Sequence, residues 1–295
     1  MSDTFRATFW MAGAIVSFTS MAIAGRAVSI ELDTFEIMLF RSLVGIVIVV
    51  TLARAAGTLG QVRRTRMGLQ VLRNAAHFTG QNLWFFALPL IPLAQVFALE
   101  FTTPIWVILL APLILGERIT PIGLLAAALG FAGVMIVTRP TGATLSPALF
   151  AAGAAAIFFA LTALFTRRLT RTETITNIMF WLTVLQAIFG LVAAGIDGDI
   201  AWPTAAALPW VLVIGCAGLA AHFCLTTALS LAPANIVMPI DFIRLPAIAV
   251  VAALIYDEAL DPWVFAGAAV IFGANYLNLT YGANRQQKSP AAPGT

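Results

Sequence analysis

The 295-residue sequence predicts an all-α polytopic membrane protein with ten transmembrane helices in two inverted five-helix repeats. Three observations carry that prediction: an apolar composition, a series of apolar runs of spanning length, and a second half that matches the first when laid over it. Hydrophobic residues make up 61% of the chain and charged residues 10%, with a mean hydropathy of +0.96. A soluble domain carries about 25% charged residues, so no soluble core accounts for this composition.

A spanning helix needs about 20 mainly apolar residues. Runs bounded by charges or by Pro and Gly place helices near 5–25, 33–54, 68–91, 94–115, 120–138, 146–167, 173–196, 206–231, 234–256 and 262–282. The first run follows Arg6 and ends in the small residues Ala22-Ile23-Ala24, which also imitate a cleavable secretory signal. Removing it would leave the two halves unequal, so it is expected to stay. The second lies between Asp33 and Arg54, and the third follows the Arg63, Arg64, Arg66 cluster. The fourth holds Glu100 and Pro104, and the fifth stops at Arg139. The sixth runs into Arg167 and Arg168, the seventh ends before Asp197, and the eighth contains Cys216 and Cys224. The ninth holds Pro239, Asp241, Arg244 and Pro246, and the tenth leads to a polar end. The expected division is a first repeat over 1–140, a second, inverted repeat over 141–284, and a disordered cytoplasmic tail over 285–295.

Connections are short, which leaves little chain for a soluble catalytic domain. The net charge of +3 is spread between apolar stretches, without a dense basic arm for nucleic acid. The two cysteines share one apolar stretch and read as small buried hydrophobes, so neither a disulfide framework nor a metal site is expected. No cofactor is expected either. Orientation follows from the basic residues, which gather in cytoplasmic loops. With the N-terminus inside, Arg6, Arg54, Arg63, Arg64, Arg66, Arg118, Arg167, Arg168, Arg171, Arg285 and Lys288 are cytoplasmic, and only Arg26 and Arg139 face out.

Setting Ala228 on Ala87 aligns ALPLIPLAQVFALEF (87–101) with ALSLAPANIVMPIDF (228–242) without a gap. In the same register Glu117 falls on Glu258, Pro121 on Pro262, Phe131 on Phe272, Arg26 on Arg167, Phe18 on Phe159 and Gln81 on His222. Because five crossings are an odd number, the second copy enters the bilayer upside down. Inverted repeats of this kind build secondary transporters, in which one half rocks against the other around a central site.

The segment LILGERITPIGLLAAALGFAGVMIV (113–137) and its degenerate copy LIYDEALDPWVFAGAAVIFGA (254–274) resemble the glycine–glutamate signature ending each half of the EamA family of the drug/metabolite transporter superfamily. The second copy has Asp257 where the family's glycine usually stands. Length and pattern look most like bacterial amino-acid exporters of the YddG type. That resemblance implies an inner-membrane carrier that exports amino acids, aromatic ones included, with protons as a coupling ion to test; the distribution of basic residues puts both termini in the cytoplasm. It would act as a monomer or a homodimer in the lipid bilayer. Relatives carry other metabolites and cationic drugs.

Within the third helix, Asn74, His77, Phe78, Gln81, Asn82 and Phe85 fall at i, i+3, i+4, i+7, i+8 and i+11, one stripe of a helix. Polar groups in hydrocarbon are costly, so the stripe is expected to face a cavity; interhelical hydrogen bonding is the alternative. Glu100 and Asp241 are repeat equivalents and are expensive in a bilayer. Arg244 stands three residues after Asp241 and can neutralise it, whereas Glu100 lacks a local partner. Pro104 frees the carbonyl of residue 100, and Pro239 and Pro246 flank Asp241, so each half has a proline-interrupted helix. His77 and His222, the only histidines, lie in membrane helices. Arg41 can snorkel or pair with Glu36. Glu117 and Glu258 are expected to accept hydrogen bonds from the start of the next helix, with a gating role as the alternative, and Phe101, Phe158, Phe159 and Trp181 line a cavity or pack. The expected substrate-binding set is His77, Phe78, Gln81, Asn82, Phe85, Glu100, Phe101, Phe158, His222, Asp241 and Arg244. A membrane-embedded lipid enzyme would need a nucleophile, base or metal cluster that the sequence does not display. A channel would need a ring of like charge or a filter repeat, and direct drive by ATP would need a GxxxxGK[ST] loop, which is lacking.

Overall fold

The computed structural model describes residues 3–116, 119–139, 145–196, 198–231, 240–278 and 280. These residues fold into helices α1 (Asp3–Val28), α2 (Thr34–Ala55), α3 (Met67–Ala87), α4 (Leu93–Glu100), α5 (Thr103–Leu115), α6 (Pro121–Thr138), α7 (Pro147–Leu169), α8 (Ile175–Ala194) and α9 (Leu208–Leu231). Two more, α10 (Arg244–Tyr256) and α11 (Pro262–Leu277), follow, and a short 3-10 turn, Leu59–Gln61, lies between α2 and α3.

Seven helical stretches have the length and composition to cross a membrane: α1, α2, α4 with α5, α6, α7, α8 and α9. Three further spans reach ten. α3 has the length, but a polar face lowers its hydropathy. α10 and α11 are apolar helices of 13 and 16 residues; the expected ninth helix begins at residues outside the described ones, as do the signature residue Glu117 and the tail after 285. Outward faces carry exposed Phe9, Val47, Leu113, Phe150, Val192 and Leu254, the surface a lipid solvent requires.

Local chemistry sets the helix ends. Asp33 caps α2 by accepting from Glu36 N, while the Glu36 side chain accepts from Asp33 N. Thr120, Ser146 and Thr174 cap α6, α7 and α8, and proline opens α6, α7 and α11, where its missing N–H is no loss. α5 ends at Gly116 with φ +71°, and its repeat equivalent Asp257 ends α10 with φ +54°. The same left-handed cap is thus built twice, and an Asp side chain tolerates it better than most.

The packing displays the inverted symmetry. In the repeat register, α1 corresponds to α7, α2 to α8, α3 to α9 and α6 to α11. α1 packs on α9 and α3 on α7, one contact made twice, while α2 packs on α8 and α6 on α11 across the axis. Where α6 meets α11, a Cβ on Gly133 would lie 2.8 Å from Gly267 O, and one on Gly267 2.6 Å from Gly133 O. Only glycine permits that approach. Connections repeat the pattern too. Ala201 N donates to Glu36 Oε1 at 2.6 Å, and Arg63 N donates to Asn177 Oδ1 at 3.0 Å; Glu36 and Asn177 are equivalents at the starts of α2 and α8.

Candidate functional site

The fourth span breaks between α4 and α5. Pro104 has no N–H to bond back to the carbonyl of Glu100, and Thr103 Oγ1 donates to that carbonyl instead, at 2.6 Å. The ninth span breaks at the equivalent place, at Phe242 and Ile243, before α10. Asn275 of α11 donates from Nδ2 to Phe101 O at 3.2 Å, fixing the first break against the second half.

The two breaks converge on a charged knot. Arg244 Nη2 lies 3.1 Å from Glu100 Oε1 and 3.2 Å from Asp241 Oδ2, so one guanidinium bridges two repeat-equivalent carboxylates. Trp84 Nε1 donates to the other oxygen of Glu100 at 2.9 Å. The rings of Phe18, Phe101 and Phe97 surround the guanidinium at 4.5, 4.8 and 5.1 Å, an arrangement that favours a desolvated cation. Phe101 and Phe242, also equivalents, stack at 4.6 Å. Glu100, which has no partner along its own helix, takes one from the other half of the chain.

Beside the knot, α2, α3, α8 and α9 enclose a narrow cavity of about 30 Å³. Its lining consists largely of repeat-equivalent positions: Arg41 with Leu182, Ser42 with Thr183, Gly45 with Gln186, and His77 with Gly218. The cavity therefore lies on the axis relating the halves. His77 is ten residues into α3 and Arg41 seven into α2, which at a rise of about 1.5 Å per residue puts the cavity near mid-bilayer. Arg41 donates to Gln81 Oε1 and, at 3.8 Å, to Met38 Sδ. The rings of His77 and His222 lie 6.5 Å apart, with Phe159 6.3 Å from His77 and Phe18 5.7 Å from His222. Phe18 thus touches both the cavity and the knot. The volume holds a couple of waters and falls well below the roughly 300–1,000 Å³ of ligand pockets.

The expected residues divide accordingly. Glu100, Phe101, Asp241 and Arg244 meet in the knot; His77 and His222 line the cavity, and Gln81 and Phe85 hold Arg41, whose guanidinium carbon is 5.9 Å from the Phe85 ring. Phe78 instead stacks with Phe35 and contacts Phe189, and Asn82 donates to Phe78 O at 2.8 Å within its own helix. Phe158 packs on α3 beside Gly80. Trp181 donates to Arg63 O at an exposed position. Arg41 does not pair with Glu36, whose oxygens are taken by Asp33 N and Ala201 N. Residues outside the expected set are Arg73, which donates to Thr166 Oγ1 at 3.0 Å and Asn74 Oδ1 at 3.1 Å, together with Phe18, Phe97, Trp84, Ser42, Thr183 and Gln186. Carrying Arg41, Ser42 and Gly45 through the repeat register would have found the α8 members. Among the described residues, no three of His, Cys, Asp and Glu come together as metal ligands.

One end is braced by a cluster of contacts between the halves. Arg26 of α1 pairs with Glu258 and donates to Leu88 O and Ile91 O, each at 2.6 Å. Glu258 Oε2 accepts from Leu93 N at 3.0 Å, and Tyr256 OH donates to Ile23 O at 3.2 Å. Glu258 accepts from the start of α4, across the halves, rather than from the helix that follows it.

A family model described as the EamA-like transporter family matches residues 5–139 and again 146–280. The chain is 33% identical over 223 residues to a riboflavin transporter of Brucella anthropi, covering 72% of this chain and 77% of that one. It is 23% identical over 267 residues to an S-adenosylmethionine uptake transporter of Rickettsia bellii, covering 90% of each. A solved crystal structure shares the fold at a TM-score of 0.66 and 18% identity, covering 96% of this chain and 99% of the other.

Proposed function

From the premise that the chain belongs to the EamA-like transporter family, we propose that it is a secondary transporter moving a small metabolite with an aromatic or heteroaromatic ring across the bacterial inner membrane. The observation that carries this reading is the mid-bilayer cavity on the repeat axis, whose wall residues His77 and His222 are backed by Phe159 and Phe18. The two imidazole rings on its wall suit packing against a planar ring, and riboflavin and S-adenosylmethionine, named in two relatives, both contain one. A cavity this small admits no ring-bearing molecule as it stands, so loading requires the halves to separate, as alternating access demands. The termini are then cytoplasmic, by the distribution of Arg and Lys.

Export of amino acids is the second reading, favoured by the cavity cation, Arg41, matched to one carboxylate. Purified protein in liposomes, loaded in turn with riboflavin, S-adenosylmethionine, tryptophan, phenylalanine, a nucleobase and a sugar, tests both by counterflow. A ring-bearing compound should exchange fastest. Exchange of the sugar alone would overturn both readings, and flux in right-side-out cells separates uptake from export.

A further inference from the structure

We propose that the mid-bilayer cavity grips its substrate by a carboxylate seated on Arg41, and that this cation, supplied by one half only, fixes the direction in which the substrate lies. The inference rests on the transporter reading and names the substrate's chemistry: a ring-bearing carboxylate or zwitterion.

Arg41 carries five N–H donors. Among the described residues it bonds to an uncharged carboxamide, Gln81, and to the weak acceptor Met38 Sδ, and it forms no ion pair with a carboxylate. Both carboxylates of the neighbouring knot are already engaged by Arg244. A second buried arginine, Arg73, one turn before His77 on α3, also bonds only uncharged oxygens, those of Thr166 and Asn74. The pocket is therefore positive, inside a span where an uncompensated charge is expensive. A ligand carboxylate compensates it, and the planar guanidinium fork matches a carboxylate's two oxygens.

Two features show a built seat rather than a stray charge. The repeat equivalent of His77 is Gly218, and a Cβ there would lie 3.3 Å from Arg41 Nη2; the second half omits a side chain where the first half's guanidinium rests. His77 Nδ1, on the wall, is buried without a hydrogen-bond partner among the described residues, which leaves a polar atom for the ligand. Because Leu182 stands opposite Arg41 in the repeat, the substrate has one charged end to offer and one place to put it. A single guanidinium beside neutral Ser42, Thr183 and Gln186 suits one negative charge better than a phosphate monoester's two.

Thermal stabilisation of detergent-purified protein, read beside counterflow, tests the seat with tryptophan and S-adenosylmethionine against tryptophanamide, S-adenosylmethionine methyl ester, riboflavin, chloride and inorganic phosphate. At least one free carboxylate should bind about ten- to a hundredfold tighter than its amide or ester, the range for a charged hydrogen bond. Arg41→Gln should erase that difference, and Arg41→Lys should keep part of it. Without ligand, Arg41→Gln should be at least as stable as wild type, because it removes an uncompensated charge; a brace through Gln81 would instead lose stability. Equal binding of acid and amide, stabilisation by chloride or phosphate to the same degree, or an unchanged preference in Arg41→Gln overturns the seat. Counterflow of riboflavin, which has no carboxylate, with no exchange of tryptophan or S-adenosylmethionine overturns it too, while leaving the transporter reading standing. No exchange of any ring-bearing compound overturns that reading, and the seat with it.

Discussion

Replacing Arg244 by methionine removes the cation holding Glu100 and Asp241 together. Each contact, at 3.1 and 3.2 Å, has a Coulomb energy of about 5 kcal/mol at an effective dielectric constant of 20, much of it offset by desolvation. What the substitution leaves is worse than a lost attraction: two carboxylates within one apolar pocket, without the cation between them. Breaking a buried pair in this way costs about 3–5 kcal/mol, which at about 2–4 °C per kcal/mol for a chain of this size lowers the unfolding midpoint by roughly 10 °C. Neutralising all three members together, with Glu100→Gln and Asp241→Asn added to Arg244→Met, should recover most of that loss, because burying neutral groups of similar shape is nearly neutral in energy. The assay is the unfolding midpoint in detergent for wild type, the single variant and the triple variant. A midpoint for Arg244→Met equal to wild type would show that water reaches the knot and that the ion pairs contribute nothing to the fold. A triple variant no better than the single one would show that the arginine matters for its ring contacts with Phe18, Phe97 and Phe101, not for its charge.

Glu100→Gln should abolish accumulation driven by a pH gradient in liposomes while leaving counterflow largely intact, if protons are coupled at this carboxylate; loss of both with the fold intact would point to direct substrate contact. Glu258→Gln should free the junction held by Arg26, raising reactivity of a cysteine placed at Ile91 toward a hydrophilic maleimide severalfold, whereas unchanged reactivity would mean that this face is closed by packing alone. Reporter fusions after Arg64 and Arg168 should read cytoplasmic and those after Asp199 and Asp261 external, and any other pattern reverses the orientation.

The pairing of Asp241 with Arg244 is legible in the sequence because three residues span one helical turn, so the partner is local. The broken spans are legible for a similar reason: Pro104 and Pro246 carry their effect a few residues back along their own helices. The pairing of Glu100 with Arg244 is not, since the two stand in opposite halves of the chain and only folding decides that the breaks meet. The third helix shows a different limit. Its polar stripe is real, and Gln70, Asn74, His77 and Gln81 are all buried, but α3 has neighbours on several sides. The stripe therefore divides: Gln81 and His77 meet Arg41 of α2 and His222 of α9, whereas Phe78 meets Phe35 at the start of α2 and Phe189 of α8. Periodicity gives the angle around one helix; it says nothing about which neighbour stands at that angle. Arg73 escapes notice because it sits on the stripe's edge, and only Thr166 on α7 reveals its purpose.

On the proposed transport cycle, the duplication lets one chain satisfy two demands that conflict. Alternating access needs two halves whose packing is nearly interchangeable, which α1 on α9 and α3 on α7 provide. Recognition of an asymmetric molecule needs the opposite, a site whose two sides differ. Here the difference lies at a few repeat positions: Arg41 against Leu182, His77 against Gly218, Gln81 against His222, and Arg244 against Thr103. The first half places its cation in the cavity and the second half places its cation in the knot, and in each case the other half yields the space or a neutral hydroxyl. Making the cavity symmetric should therefore damage recognition more than folding. In Leu182→Arg, two guanidinium groups would crowd one axis, so the predicted outcome is a folded protein whose counterflow of a monocarboxylate falls while its affinity for a dicarboxylate rises. Counterflow of the monocarboxylate equal to wild type, in a variant that folds, would show that the asymmetry at this position plays no part in recognition.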